Sequence, residues 1–156
     1  MDKIKVYDSL LARLEEDLGV AIGASRDAAD YATNEEARAE SKYDTQGLEA
    51  SYLAAGQASL ATENAQAISD LKTLRDEMIQ PREKVMRGAL VECDLDGESE
   101  WFFLCSVGGG EILEVNEQEI SVLTVQSPLG ATLAGKQAGA TFRLPNGLQG
   151  KIVSVQ

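Results

Sequence analysis

Apolar and small residues recur at alternating spacings of three and four from Ile4 through Tyr7, Leu11, Leu14, Leu18, Ala21, Ser25 and Ala28 to Ala32. The pattern returns in Tyr43, Gln46, Ala50, Leu53, Gln57, Leu60, Asn64, Ala67, Leu71, Leu74 and Met78, and Pro81 then stops it. A three-four repeat keeps one stripe of a helix turned toward a partner, and proline cannot continue a helix because it lacks the N–H donor. Two such stripes joined by roughly ten residues are buried only if the second helix folds back on the first. Residues 1–80 therefore read as an antiparallel coiled-coil hairpin with its turn in the span 33–41. At 1.5 Å per residue its shorter arm is roughly 45 Å long.

Beyond Pro81 the period changes to two. The runs "GALVECDL", "EWFFLCSV", "ISVLTVQS", "ATFRLP" and "GKIVSVQ" read as strands, and Asp96-Gly97 and Asn146-Gly147 as tight hairpin turns. The stretch Leu129 to Lys136 reads as a short helix, begun by a Ser127 cap and a proline at the first helical position. "VGGGE" lacks the lysine and hydroxyl residue of a phosphate loop and reads as a turn. Residues 81–156 thus form a second, small domain, and the whole chain is of the α+β class.

Composition narrows the functions open to such a chain. Of its 156 residues 44% are hydrophobic, enough for a folded core, and the net charge is −12. From Pro81 onward 10 acidic and 6 basic residues leave −4, so −8 falls on the helical half. Free nucleic acid is not an expected partner, because nonspecific binding to phosphates needs a cationic surface. With no histidine, histidine-based zinc sites and Ser-His-Asp triads are excluded. No basic start leads into an apolar run and no stretch of eighteen apolar residues occurs, so neither a signal peptide, a membrane span nor a membrane partner is expected, and the cytoplasm is the expected location. Cys93 falls opposite about residue 101 across the Asp96-Gly97 turn and Cys105 opposite about residue 89, roughly 13 Å apart at ~3.3 Å per residue. That is too far for a bridge, so both read as reduced packing residues.

The C-terminal stretch is more specific. Ile120-Ser121-Val122, Ser127-Pro128-Leu129-Gly130, Leu133, Gly135-Lys136, Gly139 and Pro145-x-Gly147 occur in order over some 35 residues. This set resembles the C-terminal domain of the bacterial Gre transcript-cleavage factors, and the preceding coiled coil extends the resemblance over nearly the whole chain. It implies an FKBP-like fold for residues 81–156 and RNA polymerase as the partner. The C-terminal domain would dock at the rim of the secondary channel through Ser127, Pro128, Leu129 and Lys136, with Phe102 added if its ring is exposed. The coiled coil would reach toward the active centre, meeting nascent RNA only inside the polymerase complex. Acidic tip residues would there help hold a Mg²⁺ ion and position water for hydrolysis of backtracked RNA. The chain would not itself be an enzyme but would stimulate the polymerase's own cleavage activity.

"TNEEARAESKYD", Thr33 to Asp44, is the stretch on which that role falls. Magnesium takes hard oxygen ligands, commonly one or two carboxylates with substrate phosphate and water. Glu36 and Glu40, four apart, share one helical face and are the candidate metal pair, with Arg38 and Tyr43 as support. Gre tips usually read Asp-x-x-Glu-Asn with a tyrosine four residues after the Glu; here Ala37 stands three before Glu40, and Tyr43 follows it by three. Local readings stand beside these. Thr33-x-x-Glu36 matches a capping box at the start of the second helix, Glu40 and Asp44 suit a solvated face, Arg38 and Lys42 suit pairing with neighbouring carboxylates, and Tyr43 continues the seam. Two alternatives to cleavage stimulation remain open: a secondary-channel regulator without cleavage activity, and an FKBP-like prolyl isomerase with the coiled coil as adaptor.

Overall fold

The computed structural model describes residues 1–38, 45–144 and 146–156, with side chains except at 35–38, 45–47 and 50. Two long helices, α1 (Lys3–Arg38) and α2 (Thr45–Thr73), precede a single turn α3 (Arg75–Met78). Six strands and one further helix follow: β1 (Leu90–Leu95), β2 (Glu98–Cys105), β3 (Ile112–Val115), β4 (Gln118–Thr124), α4 (Pro128–Leu133), β5 (Thr141–Arg143) and β6 (Gln149–Val155). A helical hairpin followed by a six-stranded sheet confirms the α+β class. No helix among the described residues is long and apolar enough to cross a membrane.

The chain forms two compact units, one of residues 13–69 and the other of residues 1–12 together with 70–156. In the first, α1 and α2 run antiparallel, and the Ser25 hydroxyl donates to Ala54 O at 3.5 Å. Leu14, Ala21, Ala28, Ala32 and Ile68 are buried there. The seam in α2 is rotated from the expected one. Leu53 and Leu60 are 56% and 45% exposed, while the half-buried positions are Ser51, Ala54, Gln57, Ala61, Asn64 and Ala67. In α1 likewise Ile4 is exposed and its neighbours Val6 and Leu10 are buried. The half-buried positions of α2 are small or polar residues, and Leu53 and Leu60 lie off that stripe.

The expected turn at 33–41 does not begin at Thr33, and residues 39–41 of that span lie outside the described residues. Thr33 does not open a helix: its hydroxyl donates to Ala29 O at 2.9 Å, and α1 continues through Arg38. That bond, back one turn within the same helix, is how a mid-helix threonine satisfies its hydroxyl. The capping-box reading of Thr33 and Glu36 is therefore wrong.

In the second unit the sheet order is β3-β4-β2-β1-β6-β5. Only β2 and β4 are parallel. Asp96 and Gly97 both have positive φ, 57° and 90°, the signature of a type I′ turn. Leu95 consequently faces Glu98, which sets Cys93 opposite Glu100 rather than residue 101. Strand β3 was not anticipated. It returns to β4 through Asn116 and Glu117, both at positive φ, with Val115 facing Gln118. The Asn146-Gly147 turn is wider than expected: Leu144 N–H donates to Leu148 O at 2.8 Å and Gly147 N–H to Leu144 O at 2.9 Å. Three residues then lie between the paired positions, the loop length that uses one positive-φ residue, here Gly147 at 89°.

Both faces of the sheet are covered. On one, Val91, Cys93, Phe102, Leu104, Phe142 and Ile152 pack with Val85 and with Leu133 of α4. Alternation puts Leu90, Phe103, Cys105, Ile120 and Val122 on the other, and all five are fully buried. Val6, Tyr7, Leu10, Leu71 and Met78, from the base of the helices, are buried in the same unit. Gly88, at φ +80°, brings the chain so near Met78 that a Cβ there would stand 3.1 Å from the Met78 backbone. The two cysteines lie on opposite faces and both are free. Burial, reinforced by Glu100 and Glu92, pushes the Cys93 thiol up to about 12, and burial raises Cys105 as well.

Candidate functional site

The residues expected to act divide into a tip group and a docking group. Of the tip group, Glu40 and Tyr43 lie outside the described residues, so the Glu36–Glu40 pair has no described geometry. Glu36 and Arg38 belong by backbone to the last described turn of α1.

The docking group lies around α4. Thr124 and Ser127 build its start: the Ser127 hydroxyl accepts from Gly130 N–H at 3.1 Å and donates to Thr124 O at 2.7 Å. Pro128 occupies the first turn and is exposed, while Leu129 is half-buried. The helix ends at Leu133, three residues short of the expected Lys136. Ala134 leaves helical geometry with ψ 133° and Gly135 follows at φ +76°. Gly135 N–H then donates to Val85 O at 2.7 Å, and Lys136 O accepts from Val85 N–H at 2.8 Å. Lys136 thus belongs to a connection pinned to Val85 rather than to the helix end, and its side chain is half-buried.

Phe102 is not at the surface. Its ring is 3% exposed, because α4 and its neighbours cover the face that alternation alone leaves open. The structure does bring Phe102 and Leu129 together, in a cleft of about 490 Å³ whose other walls include Leu144, Leu148, Glu98 and Glu100. Sequence reasoning missed the acidic members of this cleft. Their signal was the same period of two that placed Phe102, since residues 98, 100 and 102 share one face of β2.

At the base of the helices, Arg87 grips Glu77 with three hydrogen bonds of 2.9–3.2 Å. Arg82 donates to Glu77 O at 2.8 Å. Lys3, 8% exposed, donates to Gln80 O. Burial, together with the neighbouring Arg82 charge, lowers the Lys3 amine to about 8.

No protein-family model and no curated protein matches the chain. Among solved structures it is similar to GreA factor homolog 1 (Gfh1) of Thermus thermophilus, with 18% identity over 94% of each chain and a TM-score of 0.38. Thermus aquaticus Gfh1 gives 20% identity over 96% of this chain and 95% of its own, with a TM-score of 0.39. A further structure of the transcription factor Gfh1 gives 20% identity over 95% and 94%, again at 0.39. A similarity this distant identifies neither an activity nor a partner.

Proposed function

We propose that the chain is a transcription elongation factor of the Gre type, which binds RNA polymerase through its sheet unit and extends its helical hairpin into the secondary channel. One observation carries the reading: the ordered Ser127-Pro128, Gly135-Lys136 and Gly147 set follows a long helical hairpin whose far end is acidic. In this reading Glu36 and Glu40 supply oxygen ligands to a Mg²⁺ held jointly with the polymerase. Magnesium there would neutralise charge on the scissile phosphate and activate water; the chain's contribution is to bring the ligands. Phe102, being buried, is dropped from the docking surface, which leaves Pro128 and Leu129 with Ser127 and Lys136.

The test is a stalled, backtracked elongation complex to which the protein is added and in which short 3′ RNA fragments are sought. Cleavage is expected to rise, and Glu36→Gln with Glu40→Gln to abolish the rise while polymerase affinity stays nearly unchanged, because a lost metal contact slows the step without weakening docking. Full cleavage by the double variant excludes metal delivery. The departure of the tip from the usual spacing favours a second reading, in which the hairpin occupies the channel and regulates without cleavage. Tight polymerase binding with no fragments identifies that case.

A further inference from the structure

The cleft beside α4 has a polarity along its length. Glu98, Glu100 and Phe102 stand in a row on one face of β2, the carboxylates exposed and the ring at the inner end. Leu129, Leu144 and Leu148 are half-buried around the ring. Asp96, in the adjoining turn, adds a third carboxylate to the outer rim. Two carboxylates elsewhere on this unit are engaged: Glu92 accepts from Ser99 and Ser154, both at 3.1 Å, and Glu77 holds Arg87. Among the described residues, no hydrogen bond or ion pair occupies the side chains of Asp96, Glu98 or Glu100. Three like charges on one rim repel each other.

We propose that this cleft binds an extended polypeptide segment of a partner protein, carrying an apolar side chain and, about four residues away, a lysine or arginine. The apolar side chain lies among Leu129, Leu144 and Leu148 above Phe102. The cation reaches Glu98 and Glu100. Four residues of extended chain span roughly 13 Å, the same length as the four-residue step from Phe102 to Glu98 along β2. Both requirements act together: the apolar walls give area removed from water, and the rim selects a basic segment over an acidic one. The inference does not depend on RNA polymerase being the partner of the chain.

The experiment uses the full chain, labelled with ¹⁵N, titrated with the peptide acetyl-Leu-Leu-Ala-Ser-Arg-Lys-amide. The expected result is a set of amide shifts confined to the cleft, at Phe102, Leu129 and Leu148 among others. Replacing Arg and Lys of the peptide by Gln, or both Leu by Ser, weakens binding. The double variant Glu98→Gln/Glu100→Gln, both exposed positions, keeps its circular dichroism and unfolding midpoint and loses about fivefold or more in affinity. Three results overturn the proposal: no shifts up to about 2 mM peptide, a millimolar limit corresponding to only about −4 kcal/mol of binding; shifts spread over the acidic hairpin; or equal affinity of the double variant.

Discussion

Gly130 has no room for a side chain. A Cβ there would stand 1.9 Å from Thr124 O and 2.9 Å from Ser127 Oγ, and neither atom can yield without breaking the cap that starts α4. Gly130→Ala is expected to cost about 2–4 kcal/mol, the range of severe backbone clashes, against about 1 kcal/mol for Ser127→Ala, which removes only the cap. Urea unfolding of both variants checks the order. Lys3 gives a prediction in pH. Its folded value of about 8 lies below the ordinary 10.5, so between those values the unfolded chain binds more protons and stability rises with pH. Cys93 has the opposite sign: its thiol is raised from 9.0 to about 12, so its contribution is intact below pH 9 and is lost as pH climbs toward 12. The Lys3 effect is isolated as a difference. Measured by urea midpoint at pH 7.5 and pH 10, the wild type gains stability relative to Lys3→Met; an unchanged difference refutes it.

At the scale of elements, the α2 seam yields a contrast. Leu60 is exposed and Ile68 is 6% exposed, although the sequence pattern enlists the first and passes over the second. Leu60→Gln is expected to change stability by no more than about 0.5 kcal/mol and Ile68→Gln to cost about 2–4 kcal/mol, read from thermal unfolding of the helical signal. The reason the pattern misled is physical. The seam runs through Ser51, Ala54 and Ala61 where single-sequence periodicity, which weights large side chains, enlists Leu53 and Leu60. Other elements were legible because their chemistry is local: the Asp96-Gly97 turn, the Ser127 cap and the stop at Pro81 each depend on a few adjacent residues. Strand β3 was lost behind the glycines of Gly108 to Gly110, and its turn through Asn116-Glu117 uses a glutamate where glycine is usual. Burial of Phe102 could not be read from β2 alone, since it depends on which remote element covers each face. The candidate tip was visible as a run of acids, but the place of Glu36 in α1 was not, because Thr33-x-x-Glu36 matches a helix start that the chain does not use.

At the scale of the molecule, the compact unit that holds the sheet also holds residues 1–12 and 70–80. A fragment beginning at residue 82 therefore lacks Val6, Tyr7, Leu10, Leu71 and Met78, which are buried in that unit. Such a fragment is expected to unfold at markedly lower urea than a chain whose hairpin is shortened only within residues 13–69. Equal midpoints would show that the helical base adds nothing to the sheet. The same arrangement also sets an order of assembly during synthesis. Val6, Tyr7 and Leu10 leave the ribosome well before β6, which fills the place between β1 and β5. At about 5–20 residues per second, those apolar side chains wait roughly 7–30 s for the surface that shelters them. Through that interval the nascent chain depends on its own helical pairing, or on a chaperone, to keep its leading segment from aggregating.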